Sequence, residues 1–322
     1  MEKNLFDLQK DFVNMRFGMF IHFNSATFQF HSNPDVVDWE YDHENNGEPR
    51  RFPFDPQSWN PTKLDCAQWA EAGKAAGVEF AALTAKHHEG FCIWPTKYTE
   101  HCIRNSPVKT DVVREYLDAF RLQGIKAGLY FSILDLTQGI NRNGCSVKNK
   151  EYIKGQLTEL LTNYGEIPFI IVDGWNSPWG GPSYEDLSFE ELDSWVKALQ
   201  PNCLVLNIGS LDGLKHSDIV FHETSAGQKI ENSFAGPGAS CHTMTKGWFW
   251  RNGDGEKVLK PVNWVLDWIN RSNKNNTSFI LNSTPNIYGL LDDNLVERYH
   301  QIGEKYHKPA PLEEIPEGWA VR

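Results

Sequence analysis

Short apolar runs alternate with amphipathic helical patterns along most of this chain. The runs read as strands at residues 17–23 (FGMFIHF), 80–88 (FAALTAKHH), 126–134 (KAGLYFSIL), 169–175 (FIIVDGW), 203–209 (CLVLNIG), 219–223 (IVFHE), 247–250 (GWFW) and 278–283 (SFILNS). Between several of them lie helices with recognisable ends. Residues 65–77 keep Ala and Trp on one face and close on Gly77. Residues 110–124 open at Thr110 or Asp111 and close on Gly124. Residues 150–165 form a third helix, and residues 188–201 a fourth, with Ser188 and Glu191 spaced as a capping box. Repeated β-then-α units imply parallel strands. Eight such strands favour an α/β protein of the (β/α)8-like (TIM) barrel type over an open doubly wound sheet. Neither GxGxxG nor GxxxxGK followed by Ser or Thr occurs, which removes the main reason for a Rossmann reading.

In such barrels the C-terminal ends of the strands carry the active site. Four strands here end in groups that can do chemistry: His22 and Asn24; His87, His88 and Glu89; Asp173; and His222 and Glu223. Any one of them fits a strand-end cap equally well; their convergence on one mouth is harder to ascribe to chance. Asp173 follows four apolar residues and precedes Gly174 and Trp175, so it stands at the edge of a low-dielectric core where neighbours tune ionisation. A metal could draw ligands from His22, His87, His88 and Glu89. However, adjacent histidines on a strand point to opposite faces, and no HExxH or Cys–His pattern is present. Imidazoles that hydrogen-bond hydroxyls of a ligand fit better, and no metal or cofactor is expected.

The formal net charge of −11 argues against a nucleic-acid partner. Twelve Trp beside 19 Phe and 10 Tyr exceed what core packing usually needs, and flat apolar faces with a polar edge suit sugars. The six cysteines form no CxxC pair and read as reduced, buried thiols. There is no apolar leader in MEKNLFDLQKDF and no run of about 18 apolar residues, so no membrane span is expected. A soluble protein follows, cytoplasmic or, with a leader removed, periplasmic or secreted.

The segments RFGMFIHF, FDPQSWNPTKLDCAQWAEAGKAAG, FIIVDGW and the long LTAKHHEGFCIWPTKYTEHCIRNSPVKTDVVREYLDAFRLQGIKAGLYFS resemble the α-L-fucosidases of glycoside hydrolase family 29. SFILNSTPNIYGLL looks like that family's last-strand signature. The resemblance covers roughly Phe17 to Asp292 and implies a barrel with irregular or missing helices. The family appends a β-sandwich; this chain stops soon after the last strand, so a single catalytic barrel domain over residues 1–322 is expected. The resemblance implies a retaining exo-glycosidase that removes terminal α-L-fucosyl residues from oligosaccharides or glycoconjugates. Asp173 matches the nucleophile, and His22, His87 and His88 the sugar-binding histidines. Trp94, Tyr130 and Trp175 match aromatic pocket positions, and Trp39 in DWEY is a looser match.

The acid/base is where the chain departs from the family pattern. Many members carry a Glu two residues before a Cys ahead of an aromatic strand; here the stretch is GPGASCHTMTKGWFW and Ala239 holds that place. Three explanations compete: another carboxylate, Glu223 first and Glu231 next; a Glu-to-Ala inactivation at 239; or a fucoside-binding relative that has lost turnover. Retaining hydrolysis needs one ionised carboxylate to attack the anomeric carbon and one protonated carboxyl to release the leaving oxygen. The C6 methyl of fucose needs an apolar wall.

Overall fold

The computed structural model describes residues 3–32, 54–177, 180–210, 213–316 and 319. Eight parallel strands close into a barrel in chain order, with β1 beside β8. They are β1 (Phe17–Ile21), β2 (Phe80–Lys86), β3 (Lys126–Ser132), β4 (Phe169–Asp173), β5 (Leu204–Ile208), β6 (Val220–Glu223), β7 (Gly238–Thr243) and β8 (Thr277–Ser283). The expected (β/α)8 class is therefore the observed one. Around it run α1 (Leu5–Asn14), α2 (Ser25–Ser32), α3 (Cys66–Ala75), α4 (Val112–Leu122), α5 (Val147–Thr162), α6 (Phe189–Leu199), α7 (Val262–Lys274) and α8 (Asp293–Gly303).

Local chemistry sets the helix ends. Asp111, rather than Thr110, caps α4 by accepting the Arg114 N–H, and Gly124 turns the chain out at φ 73°. Ser188 caps α6, but Glu191 gives its carboxylate to Lys150 at 2.7 Å, so the expected reciprocal box is absent. The box forms on α5 instead, between Ser146 and Asn149, and starts that helix earlier than residue 150. Among the described residues no α-helix joins β5 to β6 or β6 to β7; short 3-10 turns at Gly213–His216 and Thr224–Ala226 stand there. The expectation of missing helices holds on that side.

Two features depart from the sequence reading. The seventh strand is not 247–250. It is GASCHT, Gly238–Thr243, in register with β6 and β8, while GWFW lies in the loop after it. GASCHT has no branched apolar residue and no clear alternation, so the usual strand signal is missing. Barrel closure buries it from both sides. The other is α1, which no strand–helix pattern announced. It caps the N-terminal end of the barrel, with Phe12 packed at 5.0 Å from Phe80 and 5.4 Å from Phe169. With that end plugged, the open mouth is the C-terminal one.

The run from Lys86 to Glu89 divides into two kinds of residue. Lys86 is fully buried, bonded to Asp135 at 3.1 Å and Gln156 at 3.0 Å, with its ammonium 4.3 Å from the Phe131 ring. Glu89 accepts from the Phe91 N–H and from His101 Nε2 at 2.9 Å. Both hold the loop after β2. Lys86→Ala is expected to cost about 3–5 kcal/mol, because it strands the buried Asp135 carboxylate. A urea midpoint close to that of the parent protein would contradict this.

Candidate active site

Strands β1 and β2 end at Ile21 and Lys86, so His22, His87 and His88 follow the strands rather than lying in them. Strand alternation therefore does not apply, and the His87 and His88 rings lie only 4.3 Å apart. Both, with His22, line a cavity of about 580 Å³ at the C-terminal mouth. Phe20, Tyr130, Asp173, Trp175, Glu223, Cys241 and Trp248 line it too. The structure thus brings together seven of the nine expected site residues. Among the described residues no group of three or more His, Cys, Asp or Glu side chains is arranged to hold a metal ion.

The histidines are oriented from behind. The Asn282 amide donates its Nδ2–H to the Trp248 carbonyl, so its oxygen accepts from His22 Nδ1–H at 2.6 Å. That assigns the His22 tautomer and leaves Nε2 as an acceptor. Burial first pushes the His22 pKa down to about 3, so the ring is neutral across the working range. His88 is set the same way: Ser132 Oγ donates to the Leu134 carbonyl and accepts His88 Nδ1–H at 2.6 Å. His88 Nε2 then lies 3.6 Å from Asp173 Oδ2. The His87 ring stacks on Tyr130, centroids 5.3 Å apart at 13°.

Asp173 ends β4, and the next residue explains how. Gly174 adopts φ 115°, and a Cβ there would stand 2.7 Å from the Leu134 backbone nitrogen. Only glycine lets the chain turn off the sheet so close to β3. Tyr130 donates its hydroxyl to Asp173 Oδ2 at 2.7 Å, so it does more than form an aromatic wall. Glu223 ends β6, two strands away, a wall distance of roughly 9–10 Å between backbones that inward side chains shorten. Burial, and then the charge of Asp173, push the Glu223 carboxyl up to about 8. The Cys241 thiol, in register beside Glu223 on β7, is also raised by burial, with Glu223 and Asp173 adding to it. Gln228 holds Glu223 by its backbone: its side-chain oxygen accepts the Glu223 N–H at 2.6 Å, and its own N–H reaches the Glu223 carbonyl at 3.3 Å.

Four expectations are corrected or fall elsewhere. Trp94 does not line the cavity; it is buried beside α5, where its Nε1–H donates to Glu159 at 3.0 Å. Glu231 is exposed and away from the cavity. Trp39 lies outside the described residues. Ala239 is in β7, not a loop. It is fully buried, in register with Phe221 and Ser278, and packs into the apolar interior of the barrel. Cys241, two residues on, reaches the cavity; position 239 lies one layer beneath it. Sequence reading missed Trp248, whose ring lies 5.1 Å from that of His22, because it was placed in a strand. It also missed Gln228, for which the sequence carries no signal.

A parallel barrel with two carboxyl groups of unlike environment at its C-terminal mouth, set among histidines and aromatic rings, has the layout of a barrel glycosidase. The chain belongs to the alpha-L-fucosidase family, whose model matches residues 2–308. Alpha-L-fucosidase 1 of Arabidopsis thaliana is 32% identical over 275 residues, which take in 77% of this chain and 53% of that protein. Alpha-L-fucosidase isoenzyme 1 from Paenibacillus thiaminolyticus is a structural match with TM-score 0.72 at 27% identity, covering 91% of this chain and 73% of that one. A glycoside hydrolase 29 family member from an unknown rumen bacterium has TM-score 0.72 at 29% identity, covering 91% and 55%. The chain spans about half the length of the curated relatives it matches.

The buried position of Ala239 yields a prediction. Ala239→Glu is expected to destabilise the protein by several kcal/mol, on the order of an unpaired buried carboxyl, and to raise no activity. A stable variant with higher fucoside turnover would restore the lost-acid explanation.

Proposed function

We propose that this chain is a retaining, exo-acting α-L-fucosidase in which Asp173 is the nucleophile and Glu223 the acid/base. The observation that carries the reading is the Glu223 carboxyl, pushed up to about 8 at the wall of the cavity it shares with Asp173. At neutral pH it is a proton donor. Asp173 attacks the anomeric carbon as the glycosidic C–O bond breaks, and Glu223 passes its proton to the departing oxygen. The product is a fucosyl ester on Asp173. Esterification removes the charge that helped to raise Glu223, so its acidity rises in the intermediate, where it must act as a base. Glu223 then takes a proton from water, whose oxygen displaces Asp173 and releases fucose with its original anomeric configuration. His22, His87 and His88 bind the fucose hydroxyls, while Phe20 and Trp248 supply apolar surface for the C6 methyl. Trp175 closes the wall behind Asp173, with its Nε1–H held by the Leu187 carbonyl at 2.7 Å. The substrate is a fucosylated oligosaccharide or glycoconjugate.

The test is turnover of α-L-fucosides across pH. With a natural-type fucosyl disaccharide, kcat/KM is expected to fall as pH rises through about 8, because the folded protein then loses the Glu223 proton. Below that value this proton is retained. A profile flat from pH 7 to 10 would remove Glu223 from the acid role. Absence of turnover with every fucoside, an activated aryl one included, would favour the binding-protein reading instead.

A further inference from the structure

We propose that His222 is a positioning residue for the acid/base: neutral, it lets the loop after β6 close over it and hold Glu223 in place, and protonated, it opens that loop. The role of Glu223 rests on the fucosidase reading above. Phe221 packs inside the barrel and Glu223 lines the cavity, so His222, between them in β6, points to the outer side. Among the described residues no α-helix follows β6, and the chain returns to β7 through residues 224–237. His222 is 6% exposed, and neither of its ring nitrogens has a hydrogen-bond partner among the described residues. A buried polar group without a partner is rare, because it loses its water and gains nothing in return.

The loop closes on His222 through one ring. Phe234 meets the imidazole edge to face, centroids 4.9 Å apart at 80°. It fits because β7 begins with glycine: a Cβ on Gly238 would stand 2.8 Å from the Phe234 ring. The same loop carries Gln228, whose side chain accepts the Glu223 N–H at 2.6 Å and whose N–H donates to the Glu223 carbonyl at 3.3 Å. The loop is tied near its ends. Ser225 Oγ accepts the Thr243 N–H at 3.1 Å, and the Ala235 carbonyl accepts from Trp319 at 2.8 Å and Asn276 at 3.0 Å. Between these ties, Lys229 and residues 231–233 are exposed.

No charged side chain faces His222. Ser240, its register partner on β7, pairs its hydroxyl with that of Ser272 on α7 at 2.9 Å, and Asn207 of β5 lies opposite Val220. The next titratable group along that face of β7 is His242, set against the Trp264 and Trp268 rings. Burial by itself lowers the proton affinity of His222. A proton there would make both nitrogens donors where the closed loop gives them no acceptor. The closed loop is therefore at full strength above the ordinary imidazole value of about 6.5 and weakens as pH falls below it.

Amide hydrogen exchange of the full chain, corrected for the intrinsic effect of pH on exchange, tests the loop. Protection of residues 224–237 is expected to fall about tenfold or more from pH 7.5 to pH 5, while that of β2 and β3 holds. In His222→Leu, which keeps the bulk and removes the proton site, protection should be the same at both pH values. Phe234→Ala should leave the loop open at both. A second readout is kcat/KM for a fucosyl disaccharide relative to an activated aryl fucoside. This ratio should fall between pH 7.5 and pH 5 in the parent and not in His222→Leu, because poor leaving groups need a well-placed acid. Loop protection that ignores pH in the parent, that rises at pH 5 because the Phe234 ring holds the imidazolium, or that falls equally in His222→Leu would overturn the proposal. So would a loop that opens at pH 5 with no change in the substrate ratio. Exchange needs no turnover, so failure of the fucosidase reading shows separately, as no activity on either fucoside.

Discussion

Asp173→Ala is expected to lower fucoside turnover by about 10⁴-fold or more, the scale of removing a covalent nucleophile, while the protein stays folded. The side chain makes its one described hydrogen bond to Tyr130 and is partly open to the cavity, so its loss costs stability on the order of 1 kcal/mol. Added azide supplies a stereochemical readout. In the variant it can enter the space the carboxylate vacated and attack the anomeric carbon from the face opposite the leaving group, forming β-fucosyl azide. A folded variant with more than a few per cent of parent activity would end the nucleophile assignment.

Glu223→Ala should separate substrates by leaving group. Glycans and other poor leaving groups need the proton and are expected to lose about 10³-fold, within the usual span for general acid catalysis. Activated aryl fucosides should lose far less in the first step and then stall as the fucosyl ester. Azide attacks that ester from the face water would use, so it restores turnover and the product is α-fucosyl azide. Opposite anomers from the two variants would place Asp173 and Glu223 on opposite sides of one mechanism. The decline in activity through pH 8 should also vanish, since its titrating group is gone. Equal losses on all substrates with no azide effect would reduce Glu223 to a structural role.

Much of the site could be read before the fold was known. Asp173 stood out because four apolar residues lead into it and a Gly follows, and that order reflects two physical demands: a buried strand, and a turn at φ 115° too close to Leu134 for any Cβ. The histidines were found by the same reasoning. Their geometry was misjudged because strand alternation was extended one or two residues beyond the last ladder bond, where the backbone is free to place both rings on one side. Lys86 and Glu89 show the opposite case. They sit in the same charged run and look equally functional in sequence, yet Asp135 and His101 partner them inside the protein.

The sequence by itself determined the barrel class, seven of the eight strands, caps on α3, α4 and α6 and the strand-end residues, because these depend on local periodicity and on chemistry within a few positions. Only the tertiary structure decided the rest. β7 is a strand because β6 and β8 pair with its two edges in the closed barrel, and no residue within it announces that. Trp94 went to a core contact with Glu159 and Trp248 to the cavity, although both are tryptophans in or near candidate strands. Glu223, read in the sequence only as a strand-end carboxylate, holds its proton more tightly because closure of the barrel removes water from it, with the charge of Asp173 adding to the effect. Proton affinity depends on everything within several ångströms, and those neighbours are brought together by strands that lie far apart along the chain.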